Sequence, residues 1–293
     1  MTLKKITGTG VAIVTPFRKD CSIDFKSLEN LIEHIIKNNV DFIVALGTTG
    51  EAATLTNEEK FAVVDFIKET VNNRVPIVLG LGGNNTHQIG NDIKNTDFEG
   101  ITAILSVAPY YNKPSQKGLF QHYKTIASAC PVPVILYNVP GRTSVNISAE
   151  TTLKLANEVD NIIAIKEASG NLPQIMQIIK NKPKNFLVLS GDDALTLPMI
   201  SLGANGVISV VANAFPKEFS SMVNFALKSD FKSASNLHYK LIDIINALFV
   251  DGNPGGVKAA LAIMNIISNN VRLPLATVNR QTYSLLTKLI EEL

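Results

Sequence analysis

The run "NIIAIKEASGN" begins as a buried strand and ends by delivering Lys166 and Glu167 side by side. Strand side chains alternate, so Ile162, Ala164 and Lys166 are expected on one face and Ile163, Ile165 and Glu167 on the other. An amine at the end of an apolar strand, with small Ala164 beneath it, has room for a small ligand and suits Schiff-base formation with a ketone. That chemistry needs a neutral amine. A lysine ordinarily titrates near ~10.4, and lowering one to roughly 7–8 costs about 4 kcal/mol, which desolvation among apolar walls can supply. Glu167, on the opposite face, would not restore the charge. The plainer reading is a lysine that snorkels to solvent from a loop.

Other segments end in residues able to serve such an amine. "VPVILYNVPGRTS" puts Tyr137 on the same inward set as Ile135, and neighbouring parallel strands lie about 4.8 Å apart, so Tyr137 and Lys166 can be neighbours. A phenol there can pass protons during carbinolamine formation and dehydration; a core tyrosine with a satisfied hydroxyl is the alternative. Arg142, after the "VPG" turn, suits bidentate capture of a carboxylate, or equally a surface salt bridge. In "LGTTGEAATL" two glycines flank Thr48 and Thr49, a turn whose amides and hydroxyls can hold a small carboxylate, although turn chemistry alone accounts for the pattern nearly as well. "APYYNKPSQ" brings Tyr110 and Tyr111 to the same rim, where exposed aromatics suggest a subunit contact. His34, His87, His122 and His238 are dispersed without metal-ligand spacing, which disfavours metal-dependent aldol chemistry. Asp192 and Asp193 of "SGDDA" fit a divalent cation or a helix N-terminus.

All these residues must be brought to one place. Eight short runs rich in Val, Ile and Ala, from "GVAIVTPF" to "GVISVVAN", alternate with amphipathic stretches such as "SLENLIEHIIKNN", "NEEKFAVVDFIKETV" and "SAETTLKLANEV", which carry Ser, Thr or Asn at their starts as caps. Strands apolar on both faces alternating with helices predict parallel βαβ units, and about eight units predict an α/β fold, a closed (β/α)8 TIM barrel with its site at the carboxyl ends of the strands. An open doubly wound sheet is the alternative, but "GLGGNNT" lacks both dinucleotide and phosphate-loop spacing and reads as a tight turn. From about Lys228 the strand signal stops. The expected organisation is a barrel over residues 1–227 and a C-terminal helical appendage over 228–293, with Pro254 of "DGNPGG" in a first helical turn.

Composition sets the outer bounds. The chain has 293 residues, 46% hydrophobic, enough for a large single core. Its 27 Lys and Arg against 25 Asp and Glu leave a net charge of +2, which argues against nucleic acid or an anionic membrane as partner and for a small molecule. Cys21 and Cys130 are too few for a disulfide framework, and "MTLKKITGTGVAIVTPF" lacks the pattern of a signal peptide. No apolar run approaches bilayer length, so a cytoplasmic location is expected.

Taken together, "GTTGE", "PYYNKPSQ", "YNVPGRT", "IKEASGN", "SGDDA", "GVISV" and "NPGGVKAAL" resemble the 4-hydroxy-tetrahydrodipicolinate synthase (dihydrodipicolinate synthase) family of the N-acetylneuraminate lyase superfamily over nearly the whole chain. The resemblance implies a Schiff base between Lys166 and pyruvate and a proton relay of Tyr137, Thr49 and Tyr111, with Tyr111 reaching across a dimer interface. It also implies that Thr48 and Thr49 hold the pyruvate carboxylate, that Gly191 and Ile208 line the pocket through backbone, and that Arg142 receives the carboxyl end of L-aspartate 4-semialdehyde. The implied reaction condenses pyruvate with that aldehyde on the route to diaminopimelate and lysine, with no cofactor or metal, in a homotetramer of two tight dimers. Neuraminate lyases tend to carry an apolar residue in place of Arg142 and Ser-Thr in place of Thr48-Thr49. Lysine-inhibited members carry His and Glu where this chain has Lys60 and Gln88, while Asn84 and Tyr110 match the allosteric pattern; weak or absent lysine feedback is expected. The competing expectations are another pyruvate aldolase of the superfamily, acting on sialic acid or 2-keto-3-deoxy sugar acids, and a non-catalytic barrel that binds a keto acid.

Overall fold

The computed structural model describes residues 6–293; Lys4 and Lys5 of the leading segment lie outside them. Eight strands pair in parallel and in chain order: β1 (Gly8–Ala12), β2 (Phe42–Ala45), β3 (Ile77–Gly80), β4 (Ile101–Val107), β5 (Val134–Asn138), β6 (Ile162–Glu167), β7 (Leu187–Ser190) and β8 (Gly206–Ser209). The last strand returns to the first, with Gly10 opposite Ile208, so the sheet closes into the barrel that the alternation predicts. Closure is why these strands have no polar face: one face meets the helices and the other meets side chains from across the barrel. Two apolar cores follow. The inner one includes Ala12, Phe42, Val44, Leu105, Ile135 and Tyr137. The outer one lies between strands and helices and includes Leu28, Ile32, Leu136 and Ile165. Gly10 makes room for the inner core, because a β-carbon there would collide with the Phe42 ring.

The connections hold α1 (Phe25–Lys37), α2 (Asn57–Val71), α3 (Thr86–Lys94), α4 (Gln116–Ala129), α5 (Pro140–Thr143), α6 (Ala149–Glu158), α7 (Leu172–Asn181), α8 (Thr196–Ser201) and α9 (Pro216–Leu227). Caps fix their starts. Thr56 and Glu59 form a reciprocal capping box at α2, and Ser148 caps α6 by accepting from the amide of Thr151. The first helix starts earlier than its sequence suggests. Asp24 accepts from both the amide and the hydroxyl of Ser27, at 3.1 and 2.8 Å, so the carboxylate takes the cap and Ser27 lies inside the first turn.

Simple alternation fails at one point that bears on the site. Between β5 and β6 the register shifts: Val134 pairs with Ile162, but Ile135 pairs with Ala164, so Ile163 is skipped. This irregularity exchanges the first two residues of β6. Ile162 joins the outer core and Ile163 packs against the inner one, the reverse of strict alternation. Beyond it the expected order resumes, with Ala164 inside, Ile165 outside, and Tyr137 paired with Lys166.

After α9 come α10 (Phe231–Phe249), α11 (Gly255–Ile263) and α12 (Arg280–Glu291), with α10 packed on α9 and α12. Pro254 stands one residue ahead of α11, as its N-cap, rather than in its first turn. Residues Gly255 to Leu261 of α11 are all buried, so this helix of the C-terminal region is packed in on all sides over its first two turns. No helix among the described residues is long and apolar enough to cross a membrane.

Candidate active site at the carboxyl ends of the strands

Lys166 is 5% exposed at the carboxyl end of β6, and its Nζ lies 4.4 Å from the centroid of the Tyr137 ring. Both side chains belong to the interior of the barrel. Leu189 of β7 pairs with Lys166 on the other side, and Ile208, 1% exposed, contributes to the same inner core. Gly191 flanks the amine's stem: a β-carbon there would stand 2.9 Å from Cε and 3.1 Å from Cγ of Lys166. Any larger residue at position 191 would displace the lysine, so the glycine is kept by close approach rather than by a turn. The amine is therefore held among apolar walls and beside a phenol, as the sequence suggests.

Behind the strand, on the outward face, Glu167 is fully buried in a polar network. It accepts from Asn138 Nδ2 at 2.6 Å, Ser169 Oγ at 3.1 Å and Gln174 Nε2 at 3.2 Å. Burial pushes its carboxyl up to about 6 against those three donors. Glu167 thus points away from Lys166, as expected, and ties β5, β6 and α7 together. Asp193 does similar work one strand further on. Its Oδ2 accepts from the amides of Val210 and Val211, both at 3.0 Å, which stitches the turn after β7 to the end of β8. Asp192 accepts from the amides of Ala194 and Leu195 and closes the turn that leads into α8. Both acidic side chains are used as turn and loop ties.

The Gly-Thr-Thr-Gly segment forms a turn of 3-10 helix over Thr48–Gly50, in which Thr48 is exposed and Thr49 is 3% exposed. Thr15 Oγ1 donates to the carbonyl of Gly50 at 2.7 Å and fixes the turn against the first connection. Glu51 then takes the left-handed conformation, with φ at 55°, and turns its carboxylate inward. There it meets Lys258 of α11 in an ion pair whose two side chains are wholly buried. Lys258 also donates to the carbonyl of Asn270 at 2.9 Å and sits 4.2 Å from the Phe17 ring centroid. Burial pushes the Lys258 ammonium down to about 8 in spite of Glu51. A second tie runs from Asn253, just before α11, whose Nδ2 donates to Thr49 Oγ1 at 2.9 Å.

The remaining candidates lie at the rim. Arg142 ends the short α5, exposed, and no ion pair engages its guanidinium among the described residues. The surface salt bridge weighed as its alternative is therefore not made. Tyr111 is 90% exposed with φ at +74°, an unfavourable backbone for a bulky residue. Asn84 and Tyr110 come together, since Asn84 Nδ2 donates to the Tyr110 carbonyl at 3.1 Å. Gln88 sits on the first turns of α3 and donates to Asp92 at 2.8 Å, and no hydrogen bond or ion pair joins Lys60 to any of these three among the described residues. A cleft of about 420 Å³ also opens at the amino-terminal ends of the strands. Its charged lining is already occupied, with Asp41 accepting from the amide of Thr9 and Arg74 paired with Glu33, so it is not where the chemistry sits.

A barrel of this shape hosts many reactions, and the relatives narrow the choice. A model described as the dihydrodipicolinate synthetase family matches residues 5–293. The chain belongs to the dihydrodipicolinate synthetase family. It is 52% identical over 288 residues to the 4-hydroxy-tetrahydrodipicolinate synthase of Parabacteroides distasonis, covering 98% of this chain and 97% of that one. A solved structure of the chloride-inhibited dihydrodipicolinate synthase from Acinetobacter baumannii, complexed with pyruvate, matches with a TM-score of 0.95 at 44% identity over 98% of each chain. Another, described as the first monomeric dihydrodipicolinate synthase variant, matches with a TM-score of 0.96 at 37% identity over 99% of this chain and 97% of that one.

Within this dihydrodipicolinate synthetase family barrel, Asn253, Glu51 and Lys258 are site neighbours that motif spacing does not reveal. One signal was available for the last. "VKAALAIM" places a single cation in an otherwise apolar helix, and a lysine there needs a buried carboxylate.

Proposed function

We propose that the chain is a pyruvate-dependent Schiff-base lyase that condenses pyruvate with L-aspartate 4-semialdehyde, the reaction of a 4-hydroxy-tetrahydrodipicolinate synthase, with Lys166 as the nucleophile. The observation that carries this reading is the Lys166 amine, buried at the carboxyl end of β6 beside the Tyr137 ring, in a chain of this family. The amine adds to the ketone carbon of pyruvate, and the carbinolamine loses water to leave an imine. Tyr137 and Thr49 pass the protons that addition and dehydration require. The turn at Thr48 and Thr49 receives the pyruvate carboxylate, next to pocket positions Gly191 and Ile208. A proton leaves the pyruvate methyl carbon, and the resulting enamine attacks the aldehyde carbon to form the new carbon–carbon bond. The amino group of the aldehyde substrate then attacks the imine carbon, closing the ring and expelling the Lys166 amine. Arg142, in no ion pair among the described residues, binds the carboxylate of the aldehyde substrate. No cofactor or metal enters this sequence.

Tyr111 completes the relay from a second subunit in a dimer of dimers, a reading supported by its exposure and its unfavourable backbone. A cytoplasmic location accords with a biosynthetic role. Residues 1–227 and 228–293 act as one catalytic unit, because the second part holds Thr49 and Glu51. Lys60 and Gln88 leave the region around Asn84 and Tyr110 poorly suited to an ammonium ligand, so a lysine titration of initial rates should show weak or absent inhibition.

Borohydride reduction in the presence of pyruvate, followed by peptide mass mapping, tests the central claim. The reduced adduct should fall on the peptide containing Lys166 and vanish in Lys166→Ala. A folded protein that stays unmodified would remove the mechanism. Parallel assays with aspartate semialdehyde, sialic acid and 2-keto-3-deoxy sugar acids separate this activity from the other aldolases of the superfamily, and absence of turnover with all three would favour a keto-acid-binding barrel.

A further inference from the structure

We infer that Asn253, contributed by the C-terminal helical region, is a positioning residue that sets the direction in which the Thr49 hydroxyl passes its proton. The inference rests on the reading that Thr49 serves the Lys166 site. Asn253 lies 204 residues away in sequence, is 8% exposed, and donates from Nδ2 to Thr49 Oγ1 at 2.9 Å. Its own Oδ1 is buried and takes no hydrogen bond among the described residues. An orphaned buried acceptor is costly, so a side chain chosen only to fill this space would not be an amide. What the amide supplies is a donor at one fixed place. A hydroxyl has one proton and two acceptor lone pairs, and an N–H pointed at the oxygen occupies one lone pair and excludes the hydroxyl's own proton from that side. Thr49 must then donate in another direction, away from Asn253. The arrangement is held from both ends, because Glu51, two residues after Thr49, is paired with Lys258, five residues after Asn253. Neither loop can drift without breaking a buried ion pair.

The test reverses the hydrogen bond at constant size. In Asn253→Asp the carboxylate can only accept, so the Thr49 proton turns toward position 253. We expect kcat to fall by at least ~10-fold, less than the roughly 10²–10⁴-fold that a positioned proton transfer contributes, because Thr49 keeps its hydroxyl. The pyruvate KM should change by less than about threefold, and part of the activity should return as pH falls and the carboxyl group regains a proton to donate. Asn253→Ala, which leaves the hydroxyl free to turn, should lose less than Asn253→Asp. In a Thr49→Val background, Asn253→Ala and Asn253→Asp should both have no further effect on kcat, a non-additivity that loss of packing would not produce. If Asn253→Asp does not fold, the Asn253→Ala and Thr49→Val cycle decides alone. Wild-type rates in Asn253→Asp, a larger loss in Asn253→Ala than in Asn253→Asp, or additive effects with Thr49→Val would each overturn the inference. Failure of the underlying reading looks different: no borohydride adduct in the wild type, or full activity in Thr49→Val alone.

Discussion

Removing one partner of the Glu51–Lys258 pair should destabilise the whole barrel, although neither residue touches the reacting atoms. Both side chains are completely buried, which makes the pair sensitive to being broken but not to being neutralised. Lys258→Met keeps the volume and leaves Glu51 with only the amide of Arg272, 3.0 Å from Oε2. Glu51→Gln keeps that bond and leaves the ammonium of Lys258 with the Asn270 carbonyl and the Phe17 ring. An uncompensated buried charge costs about 3–5 kcal/mol. Across 293 residues the unfolding entropy is roughly 0.6 kcal/mol per degree, so each single variant should melt about 5–8 °C below wild type. The double variant Glu51→Gln/Lys258→Met carries no buried charge and should recover at least half of the loss. Urea unfolding gives the free energies and scanning calorimetry the midpoints. The pyruvate KM should rise in the single variants, since the Thr48–Gly50 turn loses its anchor. Singles that cost less than about 1 kcal/mol, or a double variant that costs the sum of the two, would refute the reasoning.

Buried His122 should set much of the acid limb of stability. Burial pushes its imidazole down to about 4 from 6.5, so the unfolded chain binds a proton first and stability falls as pH drops from 6.5 toward 4, by up to about 3 kcal/mol. Glu167 acts in the opposite sense. Its carboxyl is raised from 4.5 to about 6, the folded state takes the proton first, and stability rises by about 2 kcal/mol as pH falls through that window. His122→Gln should therefore flatten the acid limb of a urea-midpoint against pH curve and Glu167→Gln should steepen it; curves parallel to wild type would contradict both assignments. Arg142→Ala should raise the KM for aspartate semialdehyde about tenfold while changing that for pyruvate little, and equal losses for both would remove its role.

The legible part of this protein is what local sequence determines. Alternating apolar strands and capped helices give the barrel because a closed sheet leaves no face for polar residues. Lys166 and Tyr137 were legible for the same reason, since position at a strand end fixes both depth and facing. Beyond the strand the signal weakens in a definable way. The exchange of Ile162 and Ile163 comes from a register shift against β5, a property of two strands and not of either one. Asp24 rather than Ser27 caps α1 because its carboxylate accepts from the Ser27 amide and so starts the helix upstream of Ser27, a choice that a pattern of polar residues does not rank. The largest gap is the C-terminal region, whose helical periodicity reads as an appendage. It is tied to the Thr48–Glu51 turn by two contacts across the chain, Asn253 with Thr49 and Lys258 with Glu51, and neither has a fixed sequence spacing. Only the single cation in an apolar helix betrays one of them. A lysine that cannot reach solvent must find a carboxylate, and the one it finds is two residues from Thr49, in the turn that follows β2.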